Sequence, residues 1–269
     1  MSGETVSGIV LGIGAPNRAS DGRAVQCGIV LSDGLGLCRI YADYGGVMSK
    51  VSVWDQVQCG VHVHNGDSRV ESWKLDDALV LGRIESSAEK REILESCVLP
   101  CGNEDPIDLM NRERRSIGLI RLPSTGVGYS MSARDFNASP DWVQAQKETP
   151  QRASLLWTSD AGKNHEHQLC AHECFEYWRR NPSSTSKVWQ NLHIEDIDYE
   201  KWILVGNTKD RRNVWVVVHL HRLKKTIQQL TIANCGISDG RPKGWPYLLT
   251  EEIRARRVAS TGQQQLFTT

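Results

Sequence analysis

From Ser7 to Trp73 short apolar runs alternate with turn-forming clusters, a pattern that predicts strands rather than helices. The runs are Gly8 to Ile13, Ala24 to Leu31, Gly36 to Tyr41, Ser52 to Val63 and Arg69 to Trp73. Between them stand Pro16-Asn17, Ser32-Asp33-Gly34, Gly45-Gly46 and Asn65-Gly66-Asp67, where Gly and Asn accept the positive φ of tight turns. Short strands so closely spaced predict a small barrel or curled sheet.

The period then lengthens. Leu79, Leu81, Ile84, Ile93 and Leu94 lie among acids and bases, and a helix is expected from about Ser87 to Cys97, with a serine cap and Glu in its first turn. Pro100, Gly102 and Pro106 punctuate the chain before a second short helix, Ile107 to Ser116, and a strand, Ile117 to Leu122. Beyond Pro150 the pattern predicts a strand from Ala153 to Thr158, a loop through Gly162-Lys163-Asn164 and a helix from about Gln168 to Arg180. Strands Lys201 to Val205 and Val214 to Leu220 follow, joined by a hairpin connection at Gly206 to Asp210. Cys174, Phe175 and Trp178 share a face of the expected helix. The expected fold class is α+β: a small β-barrel-like module over 1–123, a connecting region over 124–152 and an α+β module over 153–250. A basic segment and flexible tail, 251–269, complete the chain.

The length of 269 residues supports two units, each able to bury a core. Thirty-two Lys and Arg balance 32 Asp and Glu, so no global field draws the chain to an anionic polymer, and a nucleic-acid surface has to be a local patch. The first residues carry no basic run and no secretory core, and no apolar window is long enough to span a bilayer. A soluble, cytoplasmic protein with no membrane partner is the expectation, its eight cysteines reduced. A phosphate-binding Gly-x-x-x-x-Gly-Lys loop, a dinucleotide fingerprint and a Gly-x-Ser-x-Gly elbow are all missing from the sequence.

Several landmarks together resemble a family of uncharacterised bacterial proteins found near mobile elements and presumed defence genes. They are Val25-Gln26-Cys27-Gly28-Ile29, Arg39-Ile40-Tyr41, Trp54-Asp55, Arg69-Val70-Glu71-Ser72-Trp73, His165-Glu166 and Trp202-Ile203-Leu204-Val205-Gly206-Asn207. The resemblance covers most of Gly8 to Arg222. It implies a setting, a mobile-element or defence system, rather than a mechanism. Related chains would carry an acidic residue near position 171, where this one has Ala171.

Candidate chemistry falls in three places. His165, His167, Cys170 and Cys174 have the donor types of a site for zinc or another divalent metal. With Glu166 and Glu173 they would serve a metal-dependent nuclease or hydrolase, His165, Glu166 and Glu173 being the catalytic candidates. The simpler reading makes the cysteines small buried apolar residues and the histidines solvated, and the sequence favours it. His62 with His64, and His219 with His221, are His-x-His pairs that a strand would present on one face.

Charge supplies the second place. Residues 50 to 110 hold twelve acids against six bases, whereas residues 211 to 257 hold ten bases against three acids. Arg211, Arg212, Lys224, Lys225, Arg254, Arg256 and Arg257 are therefore the candidate phosphate contacts, near Trp215, Trp245 and Tyr247. The third is the tail, where Gln263 followed by Leu266 and Phe267 resembles the short peptide by which bacterial proteins dock on the replicative sliding clamp. The reading that follows is a nucleic-acid-associated accessory protein with DNA or RNA as partner, joined by the clamp or by other subunits of a defence complex. The alternatives are the metal-dependent enzyme and a structural subunit of such a complex.

Overall fold

The computed structural model describes residues 4–19, 21–133, 151–181, 187–209 and 211–225. Two six-stranded sheets carry the chain. The first holds β1 (Glu4–Ile13), β2 (Asn17–Arg18), β3 (Ala24–Ser32), β4 (Gly36–Asp43), β5 (Asp55–Val63) and β6 (Ser72–Arg83). β1 pairs with both β5 and β3, so hydrogen bonding runs round a circuit of five strands, β1-β5-β6-β4-β3 and back to β1. All pairings are antiparallel except β4 with β6. Val6, Val10, Val30, Ile40, Val57, Val61 and Trp73 point into one core, as strand alternation requires.

A helical connection follows, α1 (Ser87–Cys97) and α2 (Pro106–Arg112). Ser86 caps α1 by accepting from the Glu89 amide, and Asp105 caps α2 by accepting from the amides of Ile107 and Asp108. α2 stops before the expected Ser116, because the chain turns through Arg114 at φ 54 to enter the next strand.

The second sheet holds β7 (Ile117–Arg121), β8 (Gly128–Ala133), β9 (Gln151–Thr158), β10 (Asn164–Leu169), β11 (Tyr199–Asn207) and β12 (Trp215–Lys224), in the order β7-β11-β12-β10-β9-β8. It therefore takes β7 from residues ahead of the expected connecting region and β8 from inside it. Helices α3 (His172–Arg180) and α4 (Lys187–Asn191) lie between β10 and β11 in the chain. The order repeats that of the first sheet. β7 and β8 together stand where β1 stood, β9 and β10 match β3 and β4, β11 and β12 match β5 and β6, and the parallel pair is again third with fifth, β10 with β12.

Two further elements differ from the sequence expectation. Residues 164–169 are a strand, not a loop and the start of a helix, since His165 and Leu169 are buried and the segment pairs with β9 and β12. β6 begins at Ser72 and continues to Arg83, through Leu79 and Leu81, whose side chains stay exposed. The fold is thus strand-rich α+β, with short helices. No helix among the described residues is long and apolar enough to cross a membrane.

Between the sheets lies a third core of Ile9, Leu11, Leu31, Leu94, Leu119, Trp202, Leu204 and Val218, contributed by both sheets and α1. Here β1 approaches the second sheet at Gly12, where a Cβ would stand 2.6 Å from Leu204 Cδ2 and 2.9 Å from His219 Cβ. Replacing Gly12 with Ala is expected to cost about 1–3 kcal/mol through overpacking, read as a lower urea midpoint at unchanged slope.

Candidate nucleic-acid interface

The turn between β11 and β12 is built by its own hydrogen bonds. Thr208 N donates to Val214 O at 3.0 Å, Val214 N to Arg211 O at 2.9 Å, and Asn207 Nδ2 to Arg212 O at 2.9 Å. These bonds hold Lys209, Arg211 and Arg212 on an exposed tip. The tip packs against the β5–β6 connection of the first sheet, where Arg212 Nη2 donates to Ser68 Oγ at 2.7 Å. A Cβ placed on Gly66 would lie 3.9 Å from Lys209 Nζ. Burial lowers the pKa of His64 in that connection, and the nearby charges of Lys74 and Lys209 add to the effect against Asp67. Lys74 and Lys209 thus lie near His64, Arg212 reaches the same connection at Ser68, and neither these three nor Arg211 forms an ion pair among the described residues.

Below this surface sits a buried charged network. Arg69, 5% exposed, reaches both carboxylate oxygens of Asp67, with Nη2 to Oδ2 at 2.5 Å. It also donates to Asn207 O at 2.7 Å and to Tyr41 Oη at 2.6 Å. Alongside, Arg39 Nη2 donates to Ser116 O at 2.7 Å, and the Ser116 hydroxyl donates to Glu71. Asn207 N also donates to Ser116 O. The base of the cationic turn is therefore fixed to the first sheet by two guanidinium groups that water scarcely reaches. Burial by itself raises the Asp67 pKa, but the hydrogen bonds and charge of Arg69 outweigh it and hold the group at about 2.

The basic residues expected from sequence do not all gather. Arg211 and Arg212 precede β12, while Lys224 and Lys225 stand at its other end, and ten strand residues at about 3.3 Å each put roughly 30 Å between the two groups. The single surface expected of them is thus two surfaces. Lys74 and Lys209, not singled out in the sequence, join the first group, and the one local signal for Lys209 is its place in a hairpin connection. Arg254, Arg256, Arg257, Gln263, Leu266 and Phe267 lie outside the described residues.

The metal and nuclease candidates are dispersed. His165 and His167 alternate onto one face of β10, with ring centroids 5.5 Å apart, but His165 Nε2 is 2.6 Å from the Asp105 carboxylate and its ring stacks on Trp157 at 4.2 Å. Burial, and then the neighbouring His165, push the His167 pKa down to about 4. Cys170 precedes α3 instead of lying on it, its amide and carbonyl taken by Val217 and Ala15. Cys174 is buried with Trp178, and burial raises its thiol pKa. Glu166 accepts from Ser130 Oγ, while Glu173 opens α3 beside His219. Among the described residues no three His, Cys, Asp or Glu side chains are placed to hold a metal ion.

No family model and no curated protein matches the chain. Solved structures with a slight likeness include three complexes with DNA. The Ifi202 HINa domain in complex with 20-bp dsDNA has 9% identity and a TM-score of 0.31, over 83% of this chain and 97% of that one. The p202 HIN1 domain in complex with 12-mer dsDNA has 9% identity and a TM-score of 0.29, over 82% and 92%. A murine DNA-binding protein bound with double-stranded DNA has 11% identity and a TM-score of 0.28, over 84% and 97%.

Two outcomes test the network. Arg69→Met leaves the Asp67 carboxylate buried and unpaired, and is expected to lower stability by about 3–5 kcal/mol, whereas Asp67→Leu combined with Arg69→Met costs less, in a denaturant double-mutant cycle. Because the folded pKa of Asp67 lies below its ordinary 3.8, the pair stabilises the fold above about pH 4. That contribution, on the order of 2 kcal/mol, fades as the pH falls toward 2. Asp67→Asn should flatten the fall of the urea midpoint across that window.

Proposed function

We propose that the protein is a nucleic-acid-binding accessory component that grips the phosphate backbone with Lys74, Lys209, Arg211 and Arg212. The observation that carries the reading is the meeting of two loops, one from each sheet, around an exposed cationic tip to which no carboxylate is paired among the described residues. Strand order supports the same reading. Each sheet runs first-second-third-fifth-fourth, with the third and fifth parallel, the arrangement of the five-stranded, partly open OB barrel. In that fold the loop between the fourth and fifth strands is a site of oligonucleotide contact. The β5–β6 connection and the β11–β12 turn are those loops in the first and second units.

A chain of zero net charge gains nothing from its overall field, so affinity has to come from these few cations and be steeply sensitive to salt. A second, separable part of the proposal rests on sequence alone. Arg254, Arg256 and Arg257 add phosphate contacts, and Gln263, Leu266 and Phe267 dock on the replicative sliding clamp or another subunit, in the mobile-element or defence setting the resemblance implies.

Titration of labelled single strands and duplexes at several salt concentrations tests the first part. Lys209→Ala with Arg211→Ala and Arg212→Ala should weaken binding at least tenfold at low salt. The triple variant should also reduce the slope of log affinity against log salt by about 0.7–0.9 for each phosphate that is no longer neutralised. An unchanged affinity and slope would reject the interface. For the second part, Leu266→Ala with Phe267→Ala should abolish retention on immobilised sliding clamp, and retention at the wild-type level would remove the clamp from the proposal.

A further inference from the structure

At the opposite end of β12 from the cationic turn, a cleft of about 650 Å³ opens between the two sheets. Trp54, His172, Glu173, His219, His221 and Arg222 lie on its walls. Its size suits a ligand of a few tens of atoms.

Trp54 is the anomaly. It is a non-glycine residue at φ 78, a conformation that a bulky side chain adopts only where the surroundings enforce it. Both of its backbone groups are tied, N to Val10 O at 2.7 Å and O to the Ile84 amide at 2.9 Å. The cost of this backbone is met by a half-buried indole on the cleft wall, 5.0 Å from the His221 ring, with Lys90 Nζ 5.6 Å from its centroid.

Facing it is a set of groups suited to an anion. Helix α3 begins with Ala171 as its N-cap, which supplies no side-chain acceptor, so its first-turn amides are uncapped by side chains. Arg222 lies beside them. Their internal counter-charge is Glu173, which is 39% exposed and only loosely engaged, 3.7 Å from Arg222 Nη1 and 3.9 Å from His219 Nδ1. Neither distance is a hydrogen bond. Beneath, His221 is 3% exposed, its ring beside the Leu11 backbone and its Nε2 sealed from solvent without an acceptor in good hydrogen-bond geometry. On the first-sheet side Arg83 also lines the cleft, paired with Asp55 and Glu85.

We infer that this cleft binds a mononucleotide, its phosphate against Arg222 and the first turn of α3 in place of the Glu173 carboxylate, and its base against Trp54. The site is separate from the cationic turn and does not rest on the function proposed for that turn. A planar base uses the indole, and a phosphate uses the guanidinium and the helix start. Neither fragment alone uses both walls.

Calorimetric titration of the full chain with AMP and UMP, and in parallel with adenosine, ribose 5-phosphate and inorganic phosphate, tests the inference. Binding of a nucleotide at least tenfold tighter than any of the three fragments is expected. Arg222→Met should weaken it at least tenfold, and Glu173→Gln, which removes the competing charge, should tighten it severalfold. Trp54→Asn, chosen because Asn tolerates positive φ, should weaken nucleotide binding and leave phosphate binding as it was. The cationic-turn triple variant should bind as the unaltered chain does. Absence of nucleotide binding at millimolar concentration, phosphate bound as tightly as nucleotide, or indifference to both Arg222→Met and Glu173→Gln would each overturn the inference. Arg222 and Glu173 are partly exposed side chains, so the test stands even where Trp54→Asn fails to fold.

Discussion

The buried pairing of Arg69 with Asp67 is the interaction on which the arrangement of the two sheets depends. A guanidinium at 5% exposure is tolerable only when its donors are satisfied, and here they are shared among a carboxylate on its own loop, a tyrosine on β4 and a carbonyl at the end of β11. That last acceptor, Asn207 O, makes the pair structural for the whole molecule. It ties the second sheet to the first at the point where the chain turns from β11 into β12. Arg39, bonded to Ser116 at the entry to β7, repeats the device one strand away. Removing one partner is far costlier than never having had the pair, so the network specifies one docking of the sheets more than it adds to net stability.

What the network fixes is also what the cationic turn needs. In the proposed contact, side chains such as Lys209 and Arg211 would lose considerable rotamer freedom, and a mobile loop would add backbone ordering to that cost. Among the described residues of the turn, Arg69 clamps the base at Asn207, and Thr208 and Asn207 occupy the carbonyls of Arg211 and Arg212, so that this part of the backbone is ordered beforehand.

Much of this architecture could be read from residue patterns, and the misses have physical causes. α1 was legible because its cap, Ser86, and its acidic first turn act locally. Strands β1, β3, β4 and β5 of the first sheet were legible because alternating apolar residues and Gly-Asn turns also act locally. β10 was not, because His165, Glu166, His167 and Gln168 read as polar. The burial of His165 is secured by Asp105 and Trp157, partners that no local pattern can reveal. For the same reason no local pattern reveals that His219 and His221, expected to share one strand face, are buried between the sheets. The cationic candidates failed differently. Sequence proximity grouped Arg211 with Lys224, whereas the extended geometry of β12 separates them and sheet packing supplies Lys74 instead. A charge cluster in sequence becomes a surface only when its residues lie on a turn or on one helical face. A strand lying between them separates its two ends.

β12 consequently has two chemically distinct ends. At its start, charge is concentrated on a tip whose cations form no ion pair among the described residues, a surface suited to a long polyanion that can span several of them at once. Toward its other end the cations stand among carboxylates, Arg222 beside Glu173 and Arg83 beside Asp55 and Glu85, and histidines and an indole replace open solvent. Burial lowers the pKa of both His219 and His221, so neither adds charge near neutrality, and the wall there is polar without being strongly positive. A polymer would gain little from such a recess, since only a unit small enough to enter can use its walls. Strand geometry holds the two ends apart while the Arg69 network holds both sheets in register. One rigid element can therefore carry an extended contact and an enclosed one without either distorting the other.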